Sequence, residues 1–328
     1  MSAGGPLVRL LRSVTDPIVP LSFNRMGFAL NRRGFHDGDL PADADGRVAL
    51  VTGANSGIGR AASLALAKRG FEVWLLCRDR ARGEEARSEI ARAAASERVH
   101  LAVIDMARLA SIRDFVASLP GRTVDVLVHN AGVLPHDKTL TEDGVELTFA
   151  TNVLGPFALT ARLLPRLTRS ADARVVFVSS GGMYAQRLDL AMPDVPPERF
   201  DGTRAYANAK RAQVILARMM AEREAGAGIT FASMHPGWAD TTAVRTSLPR
   251  FYATMKGFLR TAEEGADTVV WLAASPRPKG TRGEFWFDRR VAMQYPFPWT
   301  RESKAGRERL FAFCEEHSAV AFGAKEAA

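Results

Sequence analysis

Residues 47–60 read RVALVTGANSGIGR, and this stretch decides the fold. Its first half is a short apolar run rich in β-branched residues, which is typical of a strand buried on both faces. Gly53, Gly57 and Gly59 follow at once, before a helical pattern begins. Glycines between a strand and a helix let the backbone turn sharply and approach a pyrophosphate, which a helix N-terminus binds through its free N–H groups. The stretch therefore predicts the first strand-loop-helix unit of a nucleotide-binding sheet.

Short apolar strands alternate with helical stretches along the rest of the chain. The later predicted strands are FEVWLLC, VHLAVID, VDVLVHN, RVVFVSS, ITFASMH and GEFWFD. Apolar strands separated by helices predict βαβ units and a parallel sheet buried on both faces. We therefore expect an α/β fold, a Rossmann-type doubly wound seven-stranded parallel sheet with helices on both faces. The expected α/β domain covers residues 46–289, between an N-terminal extension (1–45) and a C-terminal extension with a helix (290–328).

The composition limits the classes of function. The chain has 328 residues, of which 47% are hydrophobic and 24% charged, enough for one large core. Its two cysteines, Cys77 and Cys314, are far apart and in no metal-ligand spacing, so we expect neither a metal site nor a disulfide framework. The net charge of +8 is scattered along the chain without a basic run, so we expect no nucleic-acid partner.

The N-terminal extension carries an amphipathic pattern. Within residues 6–15, Leu7, Leu10, Leu11 and Val14 fall on one face of a helix. This face either packs on the protein or a partner subunit, rests on a membrane surface, or belongs to an organelle-targeting segment. No apolar run approaches the roughly 18 residues that span a bilayer, so we expect a cytoplasmic protein, with peripheral membrane contact as the alternative. Co-sedimentation with anionic vesicles separates these alternatives.

Two Tyr-x-x-x-Lys sequences occur, YANAK (206–210) and YATMK (252–256). Residues four apart lie on the same face of a helix, so in either pair the ammonium group could lower the pKa of the phenol. The spacing alone does not distinguish the two pairs.

Further motifs resemble those of the short-chain dehydrogenase/reductase family. The glycine spacing is G-x-x-x-G-x-G, and NAG (130–132) follows the fourth strand. The resemblance extends over residues 46–289, and long inserts before the Tyr are shared with retinol-dehydrogenase-like members. The remaining motifs arrive in the family's order: Asp105, Asn152 in TNVLG, Ser180 in VSSGG, YANAK, and HPG at 235–237.

The resemblance implies a catalytic set of Asn152, Ser180, Tyr206 and Lys210. In the family the Tyr lies on the helix after the fifth strand, where only YANAK falls, so Tyr206 would be the acid/base residue. Ser180 would hydrogen-bond the carbonyl oxygen, and Lys210 would lower the pKa of Tyr206 and bind the nicotinamide ribose. Asn152 would hold a water that relays protons to Lys210. Tyr252 lies in an apolar helical pattern, which we interpret as a wall of the substrate pocket.

The resemblance also implies a nicotinamide cofactor and the residues that contact it. Asp105 would contact adenine, Asn130 would steady the central strand, and the segment after Pro236 would hold the nicotinamide amide. A homo-oligomer is expected on the same ground. The full expected cofactor set is Gly53, Asn55, Ser56, Gly57, Ile58, Gly59, Arg78, Asp105, Asn130, Ala131, Gly132, Tyr206, Lys210, Pro236, Gly237, Ala239 and Thr241.

The end of the second predicted strand bears on cofactor choice. An acidic residue there would hydrogen-bond the ribose hydroxyls of NAD and repel a 2′-phosphate, but this chain has Cys77 followed by Arg78. A guanidinium can grip a phosphate through two hydrogen bonds, which favours NADP(H) over NAD(H). The other reading is an ion pair between Arg78 and Asp79 or Glu84.

Two functions follow. The first is an NADP(H)-dependent oxidoreductase that interconverts a carbonyl and an alcohol on a small hydrophobic substrate, lipid-, retinoid- or steroid-like, since apolar residues are dense after Pro236. The second is a catalytically idle NADP(H)-binding protein that senses redox state or acts as a scaffold. Turnover with a panel of carbonyl compounds distinguishes them.

Overall fold

The computed structural model describes residues 22–41, 43–44 and 46–323. The amphipathic pattern of residues 6–15 lies outside the described residues. The strands are β1 (Val48–Thr52), β2 (Glu72–Cys77), β3 (Val99–Val103), β4 (Val126–His129), β5 (Arg174–Val178), β6 (Thr230–Met234), β7 (Arg282–Phe287) and β8 (Arg290–Val291).

Within the described residues, the helices of at least six residues are α1 (Arg25–Arg32), α2 (Gly57–Ala67), α3 (Arg80–Ala94), α4 (Leu109–Ser118), α5 (Leu147–Leu167), α6 (Gly202–Arg223), α7 (Thr242–Ser247), α8 (Pro249–Met255), α9 (Ala262–Ala274) and α10 (Lys304–Ser318). Polar side chains set several of their starts. Asp201 accepts hydrogen bonds from the backbone N–H groups of Thr203 and Arg204, so α6 begins at Gly202.

The strands form one sheet in the order β3-β2-β1-β4-β5-β6-β7-β8 among the described residues. All neighbours from β3 to β7 are parallel. Strands β1, β4, β5 and β6 are buried at every position, because helices cover both faces of the sheet. The predicted doubly wound α/β fold is confirmed.

The sheet has one strand more than the seven predicted. The eighth, β8, is antiparallel to β7 and joined to it by a two-residue turn at Asp288 and Arg289. Both turn residues have positive φ angles, 48° and 58°, the geometry that matches the twist of a tight hairpin. Asn-Gly and Asp-Gly are the usual signals for such a turn, so the sequence Asp-Arg does not predict it.

Helix α5 lies in the protein core. Among the described residues it is the one helix long and apolar enough to cross a membrane, but 89% of its most apolar window is buried inside the protein. The ring of Phe157 on α5 packs edge-to-face on Phe311 of α10, with 5.1 Å between ring centroids. The helix of the C-terminal extension thus belongs to the same core as α5.

Part of the N-terminal extension is also integral to the domain. The carbonyl oxygens of Ser22, Phe23 and Asn24 accept hydrogen bonds from the guanidinium group of Arg260. The Arg260 guanidinium forms a two-pronged ion pair with Asp288, in which Nη1–Oδ1 is 2.6 Å and Nη2–Oδ2 is 3.0 Å. Both side chains are only 1% exposed, so a buried charged pair fastens the start of the described chain to the sheet.

Candidate active site

A cleft of about 540 Å³ opens at the carboxyl ends of the parallel strands. It lies where the strand order reverses between β1 and β4, the position at which open α/β sheets bind nucleotides. The predicted cofactor residues meet here with one exception, Gly59, and three of the four predicted catalytic residues line the same cleft: Ser180, Tyr206 and Lys210.

The glycine-rich loop leaves β1 in a backbone conformation that other residues rarely adopt. Gly53 and Gly57 have φ angles of 64° and 53°. A Cβ atom on Gly53 would lie 2.9 Å from the Cα of Ala131, so the loop and the NAG turn can approach only without a side chain there. Ser56 makes no side-chain cap, so the first N–H groups of α2 remain for a ligand. This combination fits a pyrophosphate.

Asn130 ties the ends of β1 and β4 together. Its Nδ2 donates to the carbonyl oxygens of Thr52 (2.9 Å) and Gly53 (3.1 Å), and its backbone N–H donates to the Thr52 hydroxyl at 2.9 Å. Gly59 packs against the same group, since a Cβ there would lie 2.4 Å from Asn130 Nδ2. Gly59 therefore supports the loop from behind and does not line the cleft.

Tyr206 and Lys210 lie one helical turn apart on α6 and face the cleft. Ser180 lies beside the Tyr206 phenol in the cleft and lowers its pKa. The Lys210 Nζ is 5.4 Å from the centroid of the Tyr206 ring and donates to the carbonyl oxygen of Val178 at 2.8 Å. The end of β5 and the first half of α6 thus bring together two hydroxyl groups and one ammonium group.

Burial is the main cause of the pKa shifts of Tyr206 and Lys210. It raises the pKa of Tyr206 to about 12, against a lowering by the neighbouring Ser180, and it lowers the pKa of Lys210 to about 7. Tyr206 therefore carries its proton at neutral pH, which suits a proton donor.

Asn152 stands behind the cleft, buried in a π-helical turn (Ala150–Leu154) at the start of α5. Turns of this type are frequent at functional sites. The Asn152 side chain forms two hydrogen bonds with the backbone of Val133. It accepts from the Val133 N–H (2.9 Å) and donates to the Val133 carbonyl (3.1 Å). Its backbone carbonyl points the other way, toward α6, and accepts from Gln213 at 2.7 Å.

The segment after β6 forms the opposite wall. Pro236, Gly237, Ala239 and Thr241 line the cleft as predicted, and the large apolar side chains there are Trp238, Leu248 and Phe251. The rings of Trp238 and Phe251 pack edge-to-face at 5.2 Å.

Tyr252 is not part of this wall, so that interpretation is wrong. Its ring lies against the guanidinium of Arg245, 5.5 Å from the ring centroid, outside the residues that line the cleft. Successive residues of a helix point about 100° apart, which is why Phe251 faces the cleft and Tyr252 does not.

Phe23, which sequence reasoning missed, supports both walls. It packs so closely on Gly181, next to Ser180, that a Cβ on Gly181 would lie 2.5 Å from its ring. Its backbone carbonyl accepts from the N–H of Trp238 at 2.8 Å, and its ring meets Trp238 edge-to-face. A lone Phe before the first strand carries no signal of such contacts.

The far end of the cleft contains the residues expected to contact the adenosine half of a cofactor. Arg78 and Asp105 both line it. Arg78 is exposed and has no ion pair within the described part of the chain, because Glu84 pairs with Arg87 and Asp79 caps α3 by accepting from the N–H of Arg82. Neither Asp79 nor Glu84, the two expected competitors for Arg78, forms an ion pair with it.

Comparisons with known proteins agree with this geometry. The sequence pattern described as short chain dehydrogenase matches residues 47–251. Dehydrogenase/reductase SDR family member 12 of Bos taurus is 41% identical over 297 residues, covering 90% of this chain and 93% of the relative. Retinol dehydrogenase 14 of Mus musculus is 35% identical and covers 82% and 85%. A crystal structure of an uncharacterised Mycobacterium paratuberculosis protein superimposes with a TM-score of 0.71 at 27% identity, covering 88% and 99%.

The family interconverts alcohols and carbonyls with a nicotinamide cofactor. The extent of the match, together with a cleft that joins a glycine-rich loop to a Ser, Tyr and Lys, leads to one conclusion. This chain belongs to the short-chain dehydrogenase/reductase family of oxidoreductases.

Proposed function

We propose that the protein is an NADP(H)-dependent oxidoreductase that interconverts a carbonyl and an alcohol on a small hydrophobic substrate, lipid-, retinoid- or steroid-like. The observation that carries the proposal is that Ser180, Tyr206 and Lys210 line one cleft with a glycine-rich loop at one end and an apolar wall at the other. A site for proton transfer, a site for a dinucleotide and a site for an apolar substrate are then contiguous.

The chemistry divides between cofactor and protein. NADPH, when bound, supplies the hydride that reduces the carbonyl carbon. Tyr206 donates its proton to the carbonyl oxygen as negative charge develops there, and its high pKa keeps that proton in place at neutral pH. Ser180 stabilises the same oxygen by a hydrogen bond. The charged form of Lys210, 5.4 Å from the Tyr206 ring, stabilises the phenolate that remains.

The cofactor residues would divide as the resemblance implies. The loop from Gly53 to Gly57 would hold the pyrophosphate at the start of α2. Asp105 would contact adenine, and the segment from Pro236 to Thr241 would hold the nicotinamide amide.

Arg78→Ala should remove most of the preference for NADPH. In the wild type we expect NADPH to bind about ten- to a hundredfold more tightly than NADH, because the exposed guanidinium can make two charge-assisted hydrogen bonds to the 2′-phosphate. The measurement is the rise in unfolding temperature with each cofactor at equal concentration. Arg92→Ala, at the exposed far end of α3, is the matched control and should change neither value. Equal stabilisation of the wild type by NADH and NADPH would contradict the role of Arg78.

The substrate side of the cleft is apolar. Trp238, Val244, Leu248 and Phe251 line it, and their burial against a ligand favours hydrocarbon rings or chains over sugars. The similarity to a retinol dehydrogenase supports the same class of substrate.

Steady-state oxidation of NADPH with a panel of carbonyl compounds tests the proposed function. Retinoid and isoprenoid aldehydes and steroid ketones should turn over with higher kcat/KM than small polar ketones and keto-sugars. The alternative function, an idle NADP(H)-binding protein, predicts cofactor binding without turnover of any member of the panel. Faster turnover of the polar compounds would refute the assigned substrate class.

A further inference from the structure

Gln213 occupies a position between two groups of the catalytic set. It lies on α6, three residues after Lys210, and its side chain is fully buried. Its Oε1 accepts a hydrogen bond from the Nζ of Lys210 at 3.1 Å, and its Nε2 donates to the backbone carbonyl of Asn152 at 2.7 Å. One amide side chain therefore spans the gap between the Lys210 ammonium and the π-helical turn.

The two partners fix the orientation of this amide. An ammonium group can only donate and a backbone carbonyl can only accept, so the oxygen of Gln213 must face Lys210 and its nitrogen must face Asn152. Both atoms are out of water, where an unmatched polar atom would be costly. The π-helical turn also holds the Asn152 side chain against Val133, so the carbonyl that Gln213 contacts belongs to a fixed segment.

We propose that Gln213 is a positioning residue for Lys210, coupling its ammonium group directly to the backbone carbonyl of Asn152. The resemblance led us to expect a water between these two groups. An amide neither takes up nor releases a proton in this pH range, so its effect is to hold the ammonium in place and to stabilise its charged form. The proposal rests on the proposed role of Lys210 in catalysis.

The surroundings of Lys210 make the effect measurable. Besides Gln213, the Lys210 ammonium donates to the Val178 carbonyl, and the titratable side chain that packs beside it within the described residues is Tyr206, on the same helix. Burial is the one cause that lowers the pKa of Lys210, and burial raises the pKa of Tyr206, so the Lys210 ammonium loses its proton before the Tyr206 phenol does.

Titration of Lys210 by NMR tests the proposal without any turnover. The chain has seven lysines, so ¹³C-lysine labelling gives a simple spectrum in which Lys210→Arg identifies the signal. Gln213→Met removes both hydrogen bonds at similar volume and should lower the pKa of Lys210. Gln213→Glu places a carboxylate beside the ammonium and should raise it by about one unit or more. Gln186→Met, the same exchange on the insert before α6, should leave it unchanged.

Activity gives the second readout. For carbonyl reduction, rate is lost as pH rises through the pKa of Lys210, because the charged form stabilises the phenolate. The alkaline limb of kcat should therefore shift to lower pH in Gln213→Met and to higher pH in Gln213→Glu. Identical Lys210 titrations in the wild type and both variants would overturn the proposal even if the variants lost activity. Absence of turnover in the wild type would refute the proposed function and leave the NMR result as the test of Gln213.

Discussion

Tyr206→Phe should lower turnover by about 10²- to 10⁴-fold with little change in NADPH affinity. The variant keeps the ring that packs beside Lys210 and removes the hydroxyl that faces the cleft beside Ser180. Hydride delivery would then leave an alkoxide without its proton donor. The measurement is steady-state oxidation of NADPH with a bulky aromatic or isoprenoid aldehyde, together with cofactor affinity by titration.

Tyr252→Phe is the matched control. It is the same chemical change in the other Tyr-x-x-x-Lys sequence, but Tyr252 stacks on Arg245 and does not line the cleft. We expect kcat to be preserved and KM to change by well under about tenfold. Loss of turnover in Tyr252→Phe with activity retained in Tyr206→Phe would place the reaction on a different helix, and the roles given to Ser180 and Asn152 would fail with it.

Asp288→Ala should lower the free energy of unfolding by about 3–5 kcal/mol. The change leaves the guanidinium of Arg260 buried without its countercharge, and the side-chain amide of Asn31 loses an acceptor at 2.7 Å. Because Arg260 also holds three backbone carbonyls of residues 22–24, the N-terminal segment should loosen at the same time. Urea denaturation measures the first effect, and hydrogen exchange of α1 measures the second.

Two variants serve as controls for Asp288. Asp288→Asn keeps a side chain that tolerates the positive φ of the turn and can still accept hydrogen bonds, so it should cost less than Asp288→Ala. Glu222→Ala breaks ion pairs with Arg218 and Arg307. The side chains of Arg218 and Glu222 are 44% and 47% exposed, so the change should cost less than about 1 kcal/mol. A loss in Asp288→Ala no larger than that in Glu222→Ala would contradict the energetic role of the buried pair.

Much of the fold is readable from the sequence because the central parallel strands β1, β4, β5 and β6 are buried on both faces. Their apolar runs are therefore continuous and stand out between helices, as in VVFV within β5. The hairpin of β7 and β8 was missed for the opposite reason. A two-residue strand has no pattern of its own, and its turn uses Asp288 and Arg289 where glycine or asparagine is the usual signal.

The candidate site likewise has residues that the sequence predicts and residues that only the structure reveals. The glycine loop, the NAG turn and YANAK are local patterns with fixed spacing, so their residues could be named from the sequence, and the cleft brings them together. Gln213 and Arg260 act through contacts with distant segments of the chain. Gln213 had one available signal, its position three residues after Lys210 on a helix, which puts both side chains on one face.

The contacts of Phe23 also matter for protein engineering. Its ring packs against Gly181, next to Ser180, and its backbone carbonyl accepts a hydrogen bond from Trp238 in the apolar wall of the cleft. A mutant library restricted to residues between β1 and β7 would vary the apolar wall of the cleft but leave Phe23, which packs against that wall, unchanged. Selection for a wider substrate range should therefore randomise Phe23 and Trp238 together, since a smaller residue at one position can make room for a displaced ring at the other.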